Sequence, residues 1–216
     1  MQIKCFHLGA MGTNCYLAFK KNLDDTQKSE AYFFDCGGKN LKALYDFVEN
    51  NNLDLKYIIL THGHGDHIEG LNEIIKKYPK ARVYIGKEEK DFLYDENLSL
   101  SHYIFGEKFK YDGEILTVSE GDLIGKFKVI DTPGHTVGSK CFYYEKEKNK
   151  ILISGDTLFK RSFGRYDLPT GNMDTLFLSL KKLCEILPED TVVYSGHSEA
   201  TTIGEEKIFL KKMGAF

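Results

Sequence analysis

Short runs rich in Ile, Val, Phe and Tyr recur along the chain at Tyr32–Phe34, Tyr57–Leu60, Phe127–Ile130, Ile151–Ile153 and Thr191–Tyr194, each bounded by polar residues or Gly. Runs of this length and composition predict buried strands, and Met1 to Cys5 leads directly into a further strand-like segment. Between the runs the apolar spacing becomes helical. Leu41, Leu44, Tyr45 and Val48 form one stripe, Ile68, Leu71, Ile74, Ile75 and Tyr78 a second, and Leu176, Leu180, Leu183, Cys184 and Leu187 a third. A last helix is expected after Thr202, which makes a capping-box pattern with Glu205, and runs to about Lys212. Alternation of strands and helices predicts an α/β arrangement with helices covering sheets. The stretch from Glu88 to Gly121 has no clear period; it is expected either to cover a site or to join two halves of the chain.

With 216 residues, 42% of them hydrophobic and four prolines, the chain is suited to one packed domain spanning 1–216; repeats, low-complexity tracts and linker-like stretches are lacking. A formal charge of -3 offers no basic surplus for nucleic acid. The five cysteines are odd in number and scattered, which suits reduced thiols and a cytoplasmic location. The amino terminus lacks a signal-type apolar region and no later run reaches membrane-spanning length, so neither secretion nor a membrane partner is expected.

Chemistry concentrates where strands end. His62, His64, Asp66 and His67 follow the Tyr57–Leu60 run, His135 follows Phe127–Ile130, Asp156 follows Ile151–Ile153, and His197 follows Val192–Tyr194. In α/β sheets the carboxyl ends of strands border the ligand crevice, so these clusters are candidates to meet in one place. Imidazole and carboxylate are good ligands for zinc, manganese and iron. In an extended turn His62 and His64 point to one side while Asp66 and His67 lie on the next turn, a spacing that suits two adjacent metals better than one. His7 and His102 lie outside the clusters and are expected to be ordinary hydrogen-bonding groups.

The segment Thr61-His62-Gly63-His64-Gly65-Asp66-His67 has the form T-H-x-H-x-D-H. With Asp35-Cys36-Gly37-Gly38, Pro133-Gly134-His135-Thr136, Ser154-Gly155-Asp156-Thr157, Gly164-Arg165-Tyr166-Asp167 and Ser195-Gly196-His197, it resembles the metallo-β-lactamase superfamily, specifically its small glyoxalase II-like hydrolases. The resemblance covers nearly the whole chain. It implies an αββα sandwich of two mixed sheets with helices outside, in two pseudo-equivalent halves that meet near residues 110–120. By the family pattern His62, His64 and His135 hold one divalent metal, Asp66, His67 and His197 hold a second, and Asp156 bridges them. Zinc is the expected metal, with iron or manganese as alternatives. The implied reaction is attack of a metal-bridging hydroxide on a small thioester or ester, with Asp66 and Asp156 in the catalytic centre. Asp35 is expected to support the metal-bearing loops by hydrogen bonds. Arg165 is expected either to meet a substrate carboxylate or to pair with Asp167.

Two departures qualify the substrate. Full-length glyoxalase II carries a carboxyl-terminal helical domain that supplies most glutathione contacts, whereas only residues 198–216 follow His197 here, and Ile68-Glu69 replaces a small apolar pair. The competing readings are a persulfide dioxygenase with one iron on His62, His135 and Asp156, a lactonase or phosphodiesterase branch, and a metal-binding module without turnover.

Overall fold

The computed structural model describes residues 1–21 and 26–215, and within it the chain forms two compact units. The first comprises residues 1–85 and 90–117. Its sheet contains β1 (Gln2–Leu8), β2 (Thr13–Phe19), β3 (Ser29–Phe34), β4 (Leu53–Ile59), β5 (Arg82–Gly86) and β6 (Leu116–Val118), in that spatial order. β1, β2 and β3 are antiparallel neighbours. β3, β4 and β5 run parallel and are linked through α1 (Lys42–Asn50), α2 (Gly65–Ile68) and α3 (Leu71–Lys77). All of β2 is buried, which is why Thr13–Phe19 shows no polar alternation. Leu44 and Val48 of α1, with Leu71 and Ile74 of α3, join Leu17, Phe33 and Ile58 in the core.

The second unit comprises residues 86–89 and 118–216. Here β7 (Leu123–Ile124), β8 (Phe127–Asp131), β9 (Lys140–Lys146) and β10 (Asn149–Gly155) make antiparallel pairs in sequence order. After β10 come the hairpin of β11 (Leu158–Phe159) and β12 (Ser162–Phe163), helix α6 (Met173–Ile186), strands β13 (Val192–Ser195) and β14 (Thr201–Thr202), and helix α7 (Ile203–Lys212). Two further short helices, α4 (Glu96–Ser99) and α5 (Ser101–Phe105), belong to the first unit. β13 lies parallel to β10, with β14 at the edge. Leu176, Leu180 and Leu183 of α6 pack with Ile130, Leu152 and Val193, and α7 adds Ile203 and Leu210.

Each of the five apolar runs lies in or overlaps a strand, and the α/β class with two mixed sheets is the one observed. The Ile68–Tyr78 stripe differs from expectation: it is divided between α2 and α3, and helix begins earlier, at Gly65. The cause is a close approach. The Gly70 N–H donates to the Cys36 carbonyl at 2.7 Å, and a Cβ at Gly70 would overlap the Gly38 carbonyl, so the chain bends around the Cys36–Gly38 backbone. Thr202 does cap α7 by accepting from the Glu205 N–H at 3.3 Å. In place of the reciprocal half of the box, the Glu205 carboxylate stands 2.9 Å from the Thr201 hydroxyl, whose single proton serves the nearer Glu206 at 2.6 Å. The aperiodic stretch after Glu88 contains a 3-10 turn (Lys87–Leu93), α4 and α5, joined at Leu100 in the left-handed region (φ 55°). Elements this short carry too little periodicity to read. Among the described residues, no helix is long and apolar enough to cross a membrane.

Candidate metal centre

In the first unit the chain leaves β4 in an extended conformation and turns helical only after His64, whose φ and ψ are -66° and 147°. His62 and His64 therefore precede α2, with ring centroids 4.8 Å apart, while Asp66 and His67 occupy its first turn. The His62 and His67 rings lie 4.1 Å apart. All four side chains are buried. Gly63 and Gly65 permit this burial, because a Cβ at Gly63 would overlap Phe92 and one at Gly65 would press on Phe105 and Ser101. Part of the aperiodic stretch thus covers this loop.

Asp35 organises the donors. It is a buried non-glycine residue with φ 61°, and its carboxylate accepts from the Thr61 N–H at 2.8 Å, the Thr61 hydroxyl at 2.9 Å and His67 Nδ1 at 2.8 Å. A carboxylate can only accept, so His67 carries a proton on Nδ1, and Nε2 is the nitrogen of the neutral form that offers a lone pair. The Thr61 hydroxyl uses its one O–H to donate to Asp35, so it accepts from His62 Nδ1 at 3.1 Å and leaves the His62 lone pair on Nε2 as well. His67 Nε2 then stands 3.5 Å from Asp66 Oδ2, an oxygen that also accepts from the Thr13 hydroxyl at 3.2 Å.

The second unit repeats this logic on different elements. Between β8 and β9, Gly134 has φ 134° and no room for a Cβ beside the Leu176 backbone, which brings His135 to the end of the strand. His135 Nδ1 donates to the Arg165 carbonyl at 2.7 Å, again leaving Nε2 as the lone-pair nitrogen. Asp156 follows β10 through Gly155 (φ 50°), and His197 follows β13. Asp156 Oδ2 lies 3.7 Å from His135 Nε2 and 3.5 Å from His197 Nε2. A Cβ at Gly164 would overlap the Asp156 carbonyl and touch His135, so that turn needs glycine. Thr132 and Thr157 join hydroxyls at 3.1 Å beneath the two loops.

The Arg165 side chain forms a two-bonded, exposed pair with Asp167, at 2.9 and 3.0 Å. Asp167 holds the guanidinium pKa up, and Arg165 holds the Asp167 carboxyl below its usual range. His7 lies on β1 and His102 on α5, and neither joins a group of candidate metal ligands among the described residues. Thr13 and the Arg165 carbonyl were not singled out from the sequence; both act through folding contacts that leave no local pattern.

The residues present fit divalent metal ions. Nitrogen lone pairs and carboxylate oxygens brought within 3.5 to 3.7 Å repel one another unless a cation lies between them, and imidazole with carboxylate is a donor set for zinc, iron or manganese. The model of the metallo-β-lactamase superfamily matches residues 8–197. The chain belongs to this superfamily. A hydroxyacylglutathione hydrolase, GloC of Haemophilus influenzae, is 33% identical over 96% of this chain and 95% of its own length. Among solved structures, the B3 metallo-β-lactamase BLEG-1 superposes with a TM-score of 0.83 at 36% identity, covering 96% of this chain and 97% of that one. The protein TTHA1623, solved in a di-iron-bound form, gives a TM-score of 0.80 at 29% identity, covering 94% and 96%. Membership places the chain among metal-dependent hydrolases and implies divalent metal binding.

Proposed function

We propose that the protein hydrolyses a small thioester or ester at a dinuclear metal centre. His62, His64 and His135 would hold one ion, Asp66, His67 and His197 would hold the other, and Asp156 would serve both. The observation that carries this reading is the hydrogen bonding behind the rings: Asp35, Thr61 and the Arg165 carbonyl commit the Nδ1 atoms of His67, His62 and His135 and reserve each Nε2 for a ligand bond. The chemistry that divalent ions supply when bound is Lewis acidity and ionisation of water near neutral pH. Asp66, steadied by the Thr13 hydroxyl, orients the attacking water. Thioesters suit such a site because a thiolate is a weaker base than an alkoxide and leaves readily, and the name of the Haemophilus influenzae relative supports a thioester of this kind. Arg165 meets a substrate carboxylate only by exchanging it for Asp167, an exposed partner held weakly.

Zinc is the first choice of metal, and the di-iron form of TTHA1623 supports iron as the alternative. The substrate is a small molecule, and five cysteines all present as free thiols support a reducing compartment such as the cytoplasm. The test is metal counting on protein loaded with zinc, iron or manganese, together with hydrolysis of S-lactoylglutathione. Two ions per chain and loss of turnover in His64→Ala and Asp156→Ala are expected. Wild-type rates from those variants would sink the proposal. One iron per chain, with oxygen uptake on glutathione persulfide, would instead establish the dioxygenase reading.

A further inference from the structure

Beside the segments that carry Asp156 and His197, the second unit has an open pocket of about 600 Å³ whose walls include Lys160, Arg161, Glu205, Ile208, Phe209 and Lys212. Three observations tie it to a ligand. First, the cations are unevenly committed: Lys160 pairs with Glu199 and the nearby Lys207 with Glu189, whereas Arg161 and Lys212 have exposed side chains without an ion-pair partner among the described residues. Second, the turn between β11 and β12 consists of Lys160 and Arg161, and Arg161 has φ 54°, a conformation in which glycine is the unstrained residue. An arginine there is held by its own N–H, which donates at 2.8 Å to Glu206, a carboxylate only 1% exposed that also accepts from the Thr201 hydroxyl at 2.6 Å. Both Glu206 oxygens are thus engaged by groups other than the guanidinium. Third, the segments that line the pocket adjoin the His197 loop. The Lys160 N–H donates to the Ser198 hydroxyl at 3.0 Å, Phe159 lies edge-on to His197 at 6.3 Å, and Ala200 contributes to the wall.

We infer that this pocket binds the anionic end of the substrate's thiol half, with Arg161 and Lys212 receiving a carboxylate and Ile208 and Phe209 packing against the carbon chain. The inference rests on the thioesterase reading and narrows it to thioesters of thiols that carry a negative charge. Lys212 also lies in the last turn of α7, where a cation complements the helix dipole. Arg161 has no such second role.

The test compares two thioesters with the same acyl group, one on glutathione and one on uncharged N-acetylcysteamine, using metal-loaded wild type and an Arg161→Gly, Lys212→Ser double variant. Glycine accepts the positive φ, so the turn and the fold are retained, which a thermal melt checks. Charge-assisted contacts of this type are expected to give the wild type a preference of about tenfold or more in kcat/KM for the glutathione ester. The double variant loses that preference through KM and keeps kcat/KM on the uncharged ester within about twofold, a change too small to reflect a lost contact of that strength. Calorimetric titration of metal-free protein with glutathione supplies a readout independent of turnover: binding to the wild type and weaker binding to the variant are expected. An unchanged preference, or equal glutathione binding by both proteins, overturns the pocket assignment. If neither ester is hydrolysed by the wild type, the thioesterase reading fails, and the glutathione titration alone decides the pocket.

Discussion

At the scale of single residues, the chemistry of the centre is set by side chains behind the candidate ligands. Thr61 illustrates this: its hydroxyl donates to Asp35 and accepts from His62, so one proton position determines which nitrogen His62 presents. Replacing Thr61 by Val keeps the shape and removes both bonds. The expected outcome is a drop of roughly 10- to 100-fold in metal affinity, read by competition with a chromogenic chelator, with a stability loss of about 1 to 3 kcal/mol in the metal-free protein. An unaltered affinity would show that the relay does not orient His62. The seven His and Asp residues were legible in the sequence because they are chemically distinctive and stand at strand ends. Of their partners, Asp35 was expected only through the family resemblance, since it lies 32 residues from His67, and Thr13, which lies 53 residues from Asp66, was not legible at all.

At the scale of elements, short segments are held by tertiary contacts more than by their own propensity. The 3-10 turn after β5 shows how. Glu89 is buried and accepts from the Gly138 N–H at 2.8 Å, while Lys140 of β9 is 2% exposed and pairs with Glu88 at 2.9 Å and with Asp131 at 2.8 Å. Lys140→Ala removes the cation and leaves two carboxylates facing each other. Loss of a buried partner costs about 3 to 5 kcal/mol, and because both acids are partly exposed here the expected loss is nearer 2 to 3 kcal/mol in urea denaturation. A loss below roughly 0.5 kcal/mol, the range of an ordinary surface substitution, would mean that the network contributes nothing to the anchoring. Longer elements behaved differently. Stripes of several helical turns were readable at α1 and α6, whereas the stripe from Ile68 was interrupted because Gly70 must pass close to the Gly38 carbonyl, a contact that no periodicity encodes.

At the scale of the whole molecule, the buried thiols make stability depend on alkaline pH. Desolvation raises the Cys141 thiol from an ordinary 9.0 to about 11, and burial pushes Cys15 and Cys36 well above their usual range. The native state therefore keeps protons that the unfolded chain releases above pH 9, so this stabilisation is complete below pH 9 and is lost as pH rises toward 11. For Cys141 alone the loss by pH 10.5 is about 2 kcal/mol. Urea denaturation at pH 8 and pH 10.5 should show a smaller difference for Cys141→Ala than for the wild type; equal differences would refute the assignment. The sequence by itself determined the α/β class, the principal strands and helices, the family and the set of candidate ligands, because hydrophobic period and residue chemistry are local properties. Only the tertiary structure decided which nitrogen each of His62, His67 and His135 presents, that Arg165 turns to Asp167, and that Arg161 and Lys212 share one pocket wall. Those facts depend on contacts between residues remote in the chain, and such contacts exist only once the core has been packed.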